Sequence, residues 1–138
     1  MSNVILAVDD SPSMRQMVGQ TLRAAGYEVI EAADGVQAFE LAKDKVVDVV
    51  ITDVNMPNMD GITLVAQLRT LPNYRLVPLL LLTTESSPER KAQGKQAGAT
   101  GWMVKPFNPA QLLATLARVL KPEAAATPAA RELEEVHT

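Results

Sequence analysis

The chain has 138 residues, 47% of them hydrophobic and 21% charged, which is typical of one soluble globular domain. The absence of cysteine excludes disulfide frameworks, zinc-thiolate sites and thiol catalysis. With 13 basic and 16 acidic residues, a net charge of -3 and no Lys/Arg cluster, the sequence predicts neither nucleic-acid binding nor membrane insertion, and without a signal peptide we expect a cytoplasmic protein.

Five short apolar segments alternate along the chain with segments of helical periodicity, a pattern typical of repeated βα units around a parallel sheet. The predicted strands cover residues 4–8, 27–30, 46–51, 77–82 and 101–104. The helices that follow them begin, in the same order, near Pro12, Gly35, Ile62, Pro88 and Pro109. The apolar sides of the first two helices are assigned to Met14, Met17, Val18 and Leu22 and to Val36, Phe39 and Leu41.

The composition changes after the last predicted helix, where an Ala-, Pro- and Glu-rich stretch begins. Such a composition is typical of a linker or tail rather than of a packed element. We therefore expect one domain over residues 1–120 and a flexible tail over residues 121–138.

Polar side chains follow four of the five predicted strands. Asp9 and Asp10 come after the first strand, Asp53 after the third, Thr83 after the fourth and Lys105 after the fifth. Ligands of an open parallel sheet bind in the crevice outside the carboxyl ends of its strands, so we expect these residues to form one site. Three converging carboxylates repel one another unless a cation is present, and oxygen ligands without His or Cys favour Mg²⁺, with Mn²⁺ as a substitute.

The same edge fits a phosphoryl group. Lys105 can neutralise one phosphoryl oxygen, and Thr83 can donate a hydrogen bond to another. Asp9 and Asp10 form a pair suited to a metal ion, whereas Asp53 stands alone and can accept phosphate as an aspartyl phosphate. Asp53 is therefore the predicted phosphoacceptor, although each carboxylate taken alone could instead be a turn or capping residue.

Four segments carry a distinctive combination of motifs: Val8-Asp9-Asp10-Ser11; Asp53 with Met56-Pro57-Asn58-Met59-Asp60-Gly61; Thr83; and Lys105-Pro106-Phe107. With these motifs the chain resembles the response-regulator receiver family over about residues 3–120. The resemblance implies a flavodoxin-like α/β fold, a single doubly wound parallel sheet of five strands in the order 2-1-3-4-5. It also implies a phosphorylation switch of a two-component phosphorelay.

The resemblance implies a role for each polar residue at the strand ends. Asp53 would accept the phosphoryl group from a histidine kinase, while Thr83 and Lys105 would bind phosphoryl oxygens. The magnesium ligands would be Asp9, Asp10, Asp53 and the backbone carbonyl of Asn55. The peptide bond between Lys105 and Pro106 is usually cis in this family, an isomer that proline makes accessible.

Residues 8–15 and the lack of an output domain resemble stand-alone chemotaxis (CheY-like) receivers. This implies a monomer, not an enzyme, that signals by phosphorylation-dependent binding to a downstream protein such as the flagellar motor switch. Trp102 occupies the place of the switch aromatic, where Tyr or Phe is usual, and the alternative is an aromatic that covers the core. By position, Asn55 and Glu85 resemble the residues that modulate dephosphorylation in fast-hydrolysing chemotaxis receivers.

Two other function classes stay open. A magnesium-dependent phosphatase or phosphotransferase of the aspartyl-phosphate type also combines Asp, Thr and Lys after parallel strands. It should carry a second aspartate where this chain has Asn55, and a cap domain for its substrate. A phosphorylation-independent scaffold should have lost one of the acidic residues or the lysine, and this chain has kept them all.

Overall fold

The structure is a computed structural model that describes residues 3–84, 87–105 and 108–120 and the backbone of a strand at Glu134–Val136. The strands are β1 (Val4–Val8), β2 (Glu28–Ala32), β3 (Val49–Thr52), β4 (Leu79–Thr83), β5 (Gly101–Val104) and β6 (Glu134–Val136). The helices are α1 (Pro12–Ala24), α2 (Gly35–Asp44), α3 (Gly61–Leu68), α4 (Pro88–Ala97) and α5 (Pro109–Leu120), with a 3₁₀ turn at Pro72–Tyr74.

All strand pairs are parallel, and the sheet has the order β2-β1-β3-β4-β5-β6. Its first five strands and the five helices confirm the predicted doubly wound, flavodoxin-like fold with strand order 2-1-3-4-5. β1 is an interior strand, since Leu6 lies opposite both Ile30 of β2 and Val50 of β3. The strand order reverses beside β1, and this reversal opens a crevice at the carboxyl ends of β1 and β3.

Helices cover both faces of the sheet, which is why the central strands are almost continuously apolar. One face packs under α2, α3 and α4, with a core that includes Leu6, Val50, Leu64, Leu81 and Trp102. The other face packs under α1 and α5, with a core that includes Ile5, Leu22, Val49, Leu80 and Leu116. The residues that follow the strands are thus held at the edge of a rigid, two-sided core.

The structure corrects the boundaries of three predicted strands. β2 extends two residues further than predicted and begins one residue later. β3 begins at Val49 rather than at Val46, whose side chain is 78% exposed, and the Asp48 carboxylate instead accepts a hydrogen bond from the Val4 N–H (2.7 Å). β4 begins after Pro78, which has no N–H to contribute to the ladder. The apolar stretches of the sequence therefore begin before the first paired residues of β3 and β4.

The prediction that Met17 and Val36 lie on the apolar faces of their helices is wrong. Met17 of α1 is 52% exposed, and Val36 of α2 is 44% exposed. α2 instead contacts the sheet through Ala38 and Ala42, small residues that let the helix approach closely. Among the residues that the structure describes, no helix has the length and apolar character needed to span a membrane.

β6 was not predicted, because it lies within the segment interpreted as a tail. Its three residues pair in parallel with β5, with Glu135 opposite Trp102 and Val136 opposite Met103. Two consecutive glutamates are not typical of a strand, so the sequence carried no signal for it. The rest of the predicted tail, residues 121–133 and 137–138, lies outside the described residues.

Candidate functional site

Lys105 joins two carboxylates at the carboxyl ends of β1, β3 and β5. Its Nζ donates to Asp9 Oδ2 at 2.9 Å and lies 3.3 Å from Asp53 Oδ2. All three side chains are largely buried, with 10%, 7% and 11% of Lys105, Asp9 and Asp53 exposed. The sheet topology therefore brings together charged residues that lie 44 to 96 positions apart, as the sequence predicts.

Asp53 is held where its negative charge is unfavourable. Burial raises the pKa of its carboxyl above the usual value, the Lys105 ammonium opposes that rise, and the nearby Asp9 charge adds to it. The Val54 N–H donates to Asp53 Oδ1 at 2.7 Å, which orients the carboxylate. Asp53 thus presents Oδ2 toward Lys105 and would be stabilised in its ionised form by a further cation.

Asp10 completes a cluster of three carboxylates. Asp9, Asp10 and Asp53 each place an oxygen within 4.8 Å of the others, and Asp10 faces solvent. Three carboxylates and the one ammonium of Lys105 leave an excess of negative charge. Hard oxygen donors at a solvent-accessible edge fit Mg²⁺, which binds through one or two carboxylates and keeps several waters.

Arg15 supports the turn that carries Asp9 and Asp10, a role that the sequence analysis missed. Its guanidinium donates to the backbone carbonyl of Asp9 at 2.6 Å and lies 3.5 Å from the Glu31 carboxylate. Asp9 also accepts a hydrogen bond from the Ser11 N–H at 2.9 Å. The backbone before α1 is therefore fixed from both sides, and no local pattern around Arg15 could have indicated this contact with β2.

Thr83 is the last residue of β4 and is fully buried. Its backbone carbonyl accepts from the Lys105 N–H at 2.8 Å, so the ends of β4 and β5 are joined. Thr83 lies opposite Val104 in the register of the two strands. The predicted phosphoryl-binding residues Thr83 and Lys105 are therefore neighbours at the same edge.

Trp102 lies in β5 and has no exposed surface. Its indole packs beneath α4, because a Cβ built on Gly94 would lie 3.1 Å from Trp102 Cζ3. It belongs to the core on the α2, α3 and α4 side of the sheet, together with Leu81. The structure thus places Trp102 as a core aromatic, and its role as a switch stays a prediction.

The loop after β3 carries Asn55 and returns to α3 through Gly61. Asn55, two residues after Asp53, is exposed. A Cβ on Gly61 would collide with the backbone carbonyl of Asp53, and the Gly61 N–H donates to the Val54 carbonyl at 2.8 Å. The close approach of α3 to Asp53 therefore requires glycine. The Asp60-Gly61 pair signals a turn in the sequence, but its contact with Asp53 is decided by the fold.

A second contact fixes the tip of this loop. Asn58 adopts a left-handed backbone conformation (φ 70°) and its side chain donates to Asp34 Oδ2 at 2.8 Å. Asp34 also caps α2 by accepting from the Gln37 N–H at 2.8 Å. Glu85, Pro106 and Phe107 lie outside the described residues, so the predicted role of Glu85 and the predicted cis bond at Lys105-Pro106 stay predictions.

Comparisons with known proteins agree with this geometry. The family model of the response regulator receiver domain matches residues 5–117. A chemotaxis protein CheY homolog of Campylobacter jejuni is 40% identical over 118 residues, which cover 84% of this chain and 91% of that protein. The solved chemotaxis response regulator CheY4 of Vibrio cholerae is 56% identical, with 87% of this chain and 100% of that chain covered and a TM-score of 0.83.

Of two further relatives, one is a much longer protein and the other has a structure with a bound ion. The chain spans 13% of the length of a gliding motility regulatory protein of Myxococcus xanthus, with 39% identity over 101 residues, 73% of this chain. The receiver domain of a sensor histidine kinase from Pseudomonas aeruginosa is 32% identical, with 87% of this chain and 98% of that chain covered and a TM-score of 0.82. Its structure has a magnesium ion coordinated in the active-site cleft.

Proposed function

From the premise that the chain belongs to the response regulator receiver family and is of the CheY type, we propose that it signals by reversible phosphorylation of Asp53. The observation that carries this proposal is the contact of one ammonium, Lys105, with both Asp9 and Asp53 inside a cluster of three carboxylates. This arrangement provides a nucleophile, a cationic partner for phosphoryl oxygens and the donors for a divalent cation.

The proposed phosphodonor is a phosphohistidine of a histidine kinase. Asp53 Oδ2 attacks the phosphorus, because Oδ1 is occupied by the Val54 N–H. A P–O bond forms, the P–N bond breaks, and the imidazole takes back the electron pair and gains a proton from solvent. A CheY-type receiver is a response regulator rather than an enzyme with a separate substrate, so we expect the transfer to be catalysed within the receiver itself.

The neighbouring residues stabilise the added charge. Lys105 can move from its contact with Asp9 to a phosphoryl oxygen, and the Thr83 hydroxyl can donate to another. Asp9, Asp10 and Asp53, with the backbone carbonyl of Asn55, would hold magnesium. When bound, magnesium offsets the negative charge that develops on the transferred oxygens. The magnesium ion of the Pseudomonas aeruginosa receiver supports this assignment.

Mass spectrometry tests the acceptor directly. After incubation with magnesium and acetyl phosphate, we expect the full chain to gain the mass of one phosphoryl group. Asp53→Asn should gain none, while Asp34→Asn, a matched change of a half-buried carboxylate at the same sheet edge, should gain it as wild type does. Equal gain by Asp53→Asn and wild type would show that the assignment is wrong.

Asn55 and Glu85 are proposed to modulate the loss of the phosphoryl group by orienting an attacking water. Asn55 lies two residues after Asp53 and is exposed, so its side chain is accessible to water. Replacing both residues by larger apolar side chains should slow the decay of the phosphorylated protein. An unchanged decay rate would remove them from the mechanism.

Thr83 and Trp102 are the proposed switch residues. Movement of Thr83 toward the phosphoryl oxygens would change the packing beside β5, and Trp102 is the single tryptophan of the chain. Because the indole is already fully buried, its emission should report rearranged neighbours rather than loss of solvent contact. Beryllofluoride with magnesium should change emission in wild type and leave Asp53→Asn unchanged. A saturated complex without change would mean that Trp102 is static.

The downstream partner is proposed to be a protein of a chemotaxis-type pathway, such as the flagellar motor switch. The names of the Campylobacter jejuni and Vibrio cholerae relatives, both chemotaxis proteins, support this class of pathway. A pull-down with the beryllofluoride-bound chain, compared with the Asp53→Asn chain, tests whether binding depends on the state of Asp53. Equal capture by both would contradict phosphorylation-dependent signalling.

A further inference from the structure

The outer edge of β5 is a template for another strand. β5 pairs with β4 on one side, and on its other side β6 pairs with it in parallel at three consecutive positions. An edge of a sheet carries backbone N–H and C=O groups that an extended peptide can satisfy by adding itself as a strand. In this chain the added strand is the chain's own segment Glu134–Val136.

The connection to β6 differs from that of a further βα unit. α4 packs on one face of the sheet, with Gly94 against Trp102, whereas α5 packs on the other through Leu112 and Leu116. The steps from β4 to β5 and from β5 to β6 run in the same direction across the sheet, so α4 and α5, the described helices of the two connections, give crossovers of opposite hands. Parallel connections are right-handed in almost all proteins, so a crossover through α5 to β6 has the disfavoured hand.

β6 therefore resembles a peptide docked on an edge more than a structural strand of the fold. We infer that the outer edge of β5 is a docking site for an extended peptide, and that Glu134–Val136 is its tethered and displaceable occupant. Its three residues form a ladder too short to be stable without the connection to the domain. A partner that adds a strand to this edge has to displace the segment first.

Charge and tether length support this occupant. α4, which packs against β5, carries Arg90, Lys91 and Lys95 against one acidic residue, Glu89, while the docked strand contains two consecutive glutamates. Along the chain, residues 121–133 separate β6 from α5, and a tether of this length gives an effective concentration in the millimolar range. Tethering thus populates a contact that would be weak between separate molecules.

Nuclear magnetic resonance of the ¹⁵N-labelled full chain tests the docking. Glu134→Pro with Glu135→Pro removes the N–H of two adjacent positions, one of which faces β5. The matched control, Ala124→Pro with Ala125→Pro, places the same two prolines outside the strand. We expect the β5 amides that point away from β4 to exchange with solvent at least tenfold faster in the first variant, and as in wild type in the control. Equal exchange in all three chains would overturn the proposal.

A peptide added in trans tests the displaceable occupant. The synthetic peptide of residues 131–138, at millimolar concentration, should shift the same β5 amide signals in the Glu134→Pro, Glu135→Pro chain and shift them far less in wild type. A peptide of scrambled sequence is the control. Absence of shifts in the proline variant, or equal shifts in both chains, would overturn the docking site. Because no phosphodonor or magnesium is present, failure here leaves the proposed role of Asp53 untouched.

Discussion

Two cations with little exposure, Lys105 and Arg69, lie at opposite ends of the sheet. Lys105 lies at the carboxyl ends of the strands, between the carboxylates of Asp9 and Asp53. Arg69, just after α3, lies at the amino ends of β4 and β5, where its guanidinium donates hydrogen bonds to neutral oxygens. The positive charge is therefore stabilised by carboxylates at one end of the sheet and by neutral oxygens at the other.

The guanidinium of Arg69 joins two segments of backbone. Its Nε and Nη2 donate to the Gly98 carbonyl at 3.0 and 2.7 Å. Its Nη1 donates to the carbonyls of Tyr74, Arg75 and Val77 at 2.7, 3.0 and 2.8 Å. Burial lowers the pKa of Arg69, but carbonyl groups at the end of α4 favour the cation. This end stabilises the fold.

At the carboxyl ends, by contrast, the carboxylates outnumber the ammonium. Burial and repulsion from Asp9 raise the pKa of Asp53, so folding works against its charge. This excess of negative charge suits a divalent cation, which would bring the missing positive charge and leave Lys105 available to a phosphoryl oxygen. The comparison teaches that stability is concentrated at one end of the sheet and binding capacity at the other.

Replacing Arg69 with leucine should have the largest effect and would test the stabilising end. Four backbone carbonyls lose this donor, and buried unsatisfied groups cost about 1–3 kcal/mol each before water relieves them. We expect the free energy of unfolding in urea to fall by about 3 kcal/mol. Arg69→Lys keeps the charge without the forked donors and should recover less than half of the loss.

Beryllofluoride binding to the folded Arg69→Leu chain should match wild type, since the two ends are separate. A variant as stable as wild type, or complete recovery with lysine, would contradict the role of the guanidinium.

The substitution Gly61→Ala should affect both stability and binding. The new Cβ would push against the carbonyl of Asp53, and such overpacking costs about 2 kcal/mol. Because Asp53 must shift, we also expect a weaker increase in Tm on adding magnesium. Gly26→Ala is the control: its Cβ has no neighbour within 4 Å, although φ is +96°, so about 1 kcal/mol of backbone strain should leave the response to magnesium intact. An unchanged magnesium response in Gly61→Ala would contradict this coupling.

Asp34 tests whether every ionised carboxylate at the carboxyl ends of the strands destabilises the fold. The hydrogen bond from the Gln37 N–H, with that from Asn58, lowers the pKa of Asp34. A lowered folded pKa means that the carboxylate stabilises the fold above its unfolded pKa, and that this contribution is lost as the pH falls through the folded value. Asp34→Ala should therefore lose about 1 kcal/mol near neutral pH and less in acid, measured by urea unfolding at both pH values. The same loss at both would contradict the ionic contribution.

Asp53→Asn should have the smallest effect and the opposite sign. Because the folded pKa of Asp53 is raised, its ionisation costs stability as the pH rises from the unfolded through the folded pKa. In chelator above that range, Asp53→Asn should raise the free energy of unfolding by about 0.5 kcal/mol. The gain should vanish in acid, and Asp10→Asn, at an exposed position, should gain less.

Magnesium should reverse the order of stability of wild type and the two variants. It should stabilise wild type by mass action and stabilise Asp53→Asn and Asp10→Asn less, which thermal unfolding with and without magnesium would measure. A lower Tm for Asp10→Asn in chelator would instead indicate that Asp10 is a structural cap.

Local features of the sequence specify the alternation of strands and helices and the polar residues that follow them. Apolar runs and capping residues are local features, and in a parallel sheet the carboxyl ends of all strands meet at one edge. The meeting of Asp9, Asp53 and Lys105 could therefore be predicted without any knowledge of their distances. The strand order came from the resemblance of the motifs to a family, because periodicity does not specify which strands are neighbours.

The tertiary structure alone decided the features that depend on contacts between distant segments. No local pattern marks Arg69, because its acceptors lie on a turn and a helix end that the fold brings to it. The need for glycine at position 61 arises from the carbonyl of Asp53, and Met17 is exposed because α1 buries Val18 and Leu22 instead. β6 pairs through backbone groups that every residue carries, so side-chain patterns gave no sign of it.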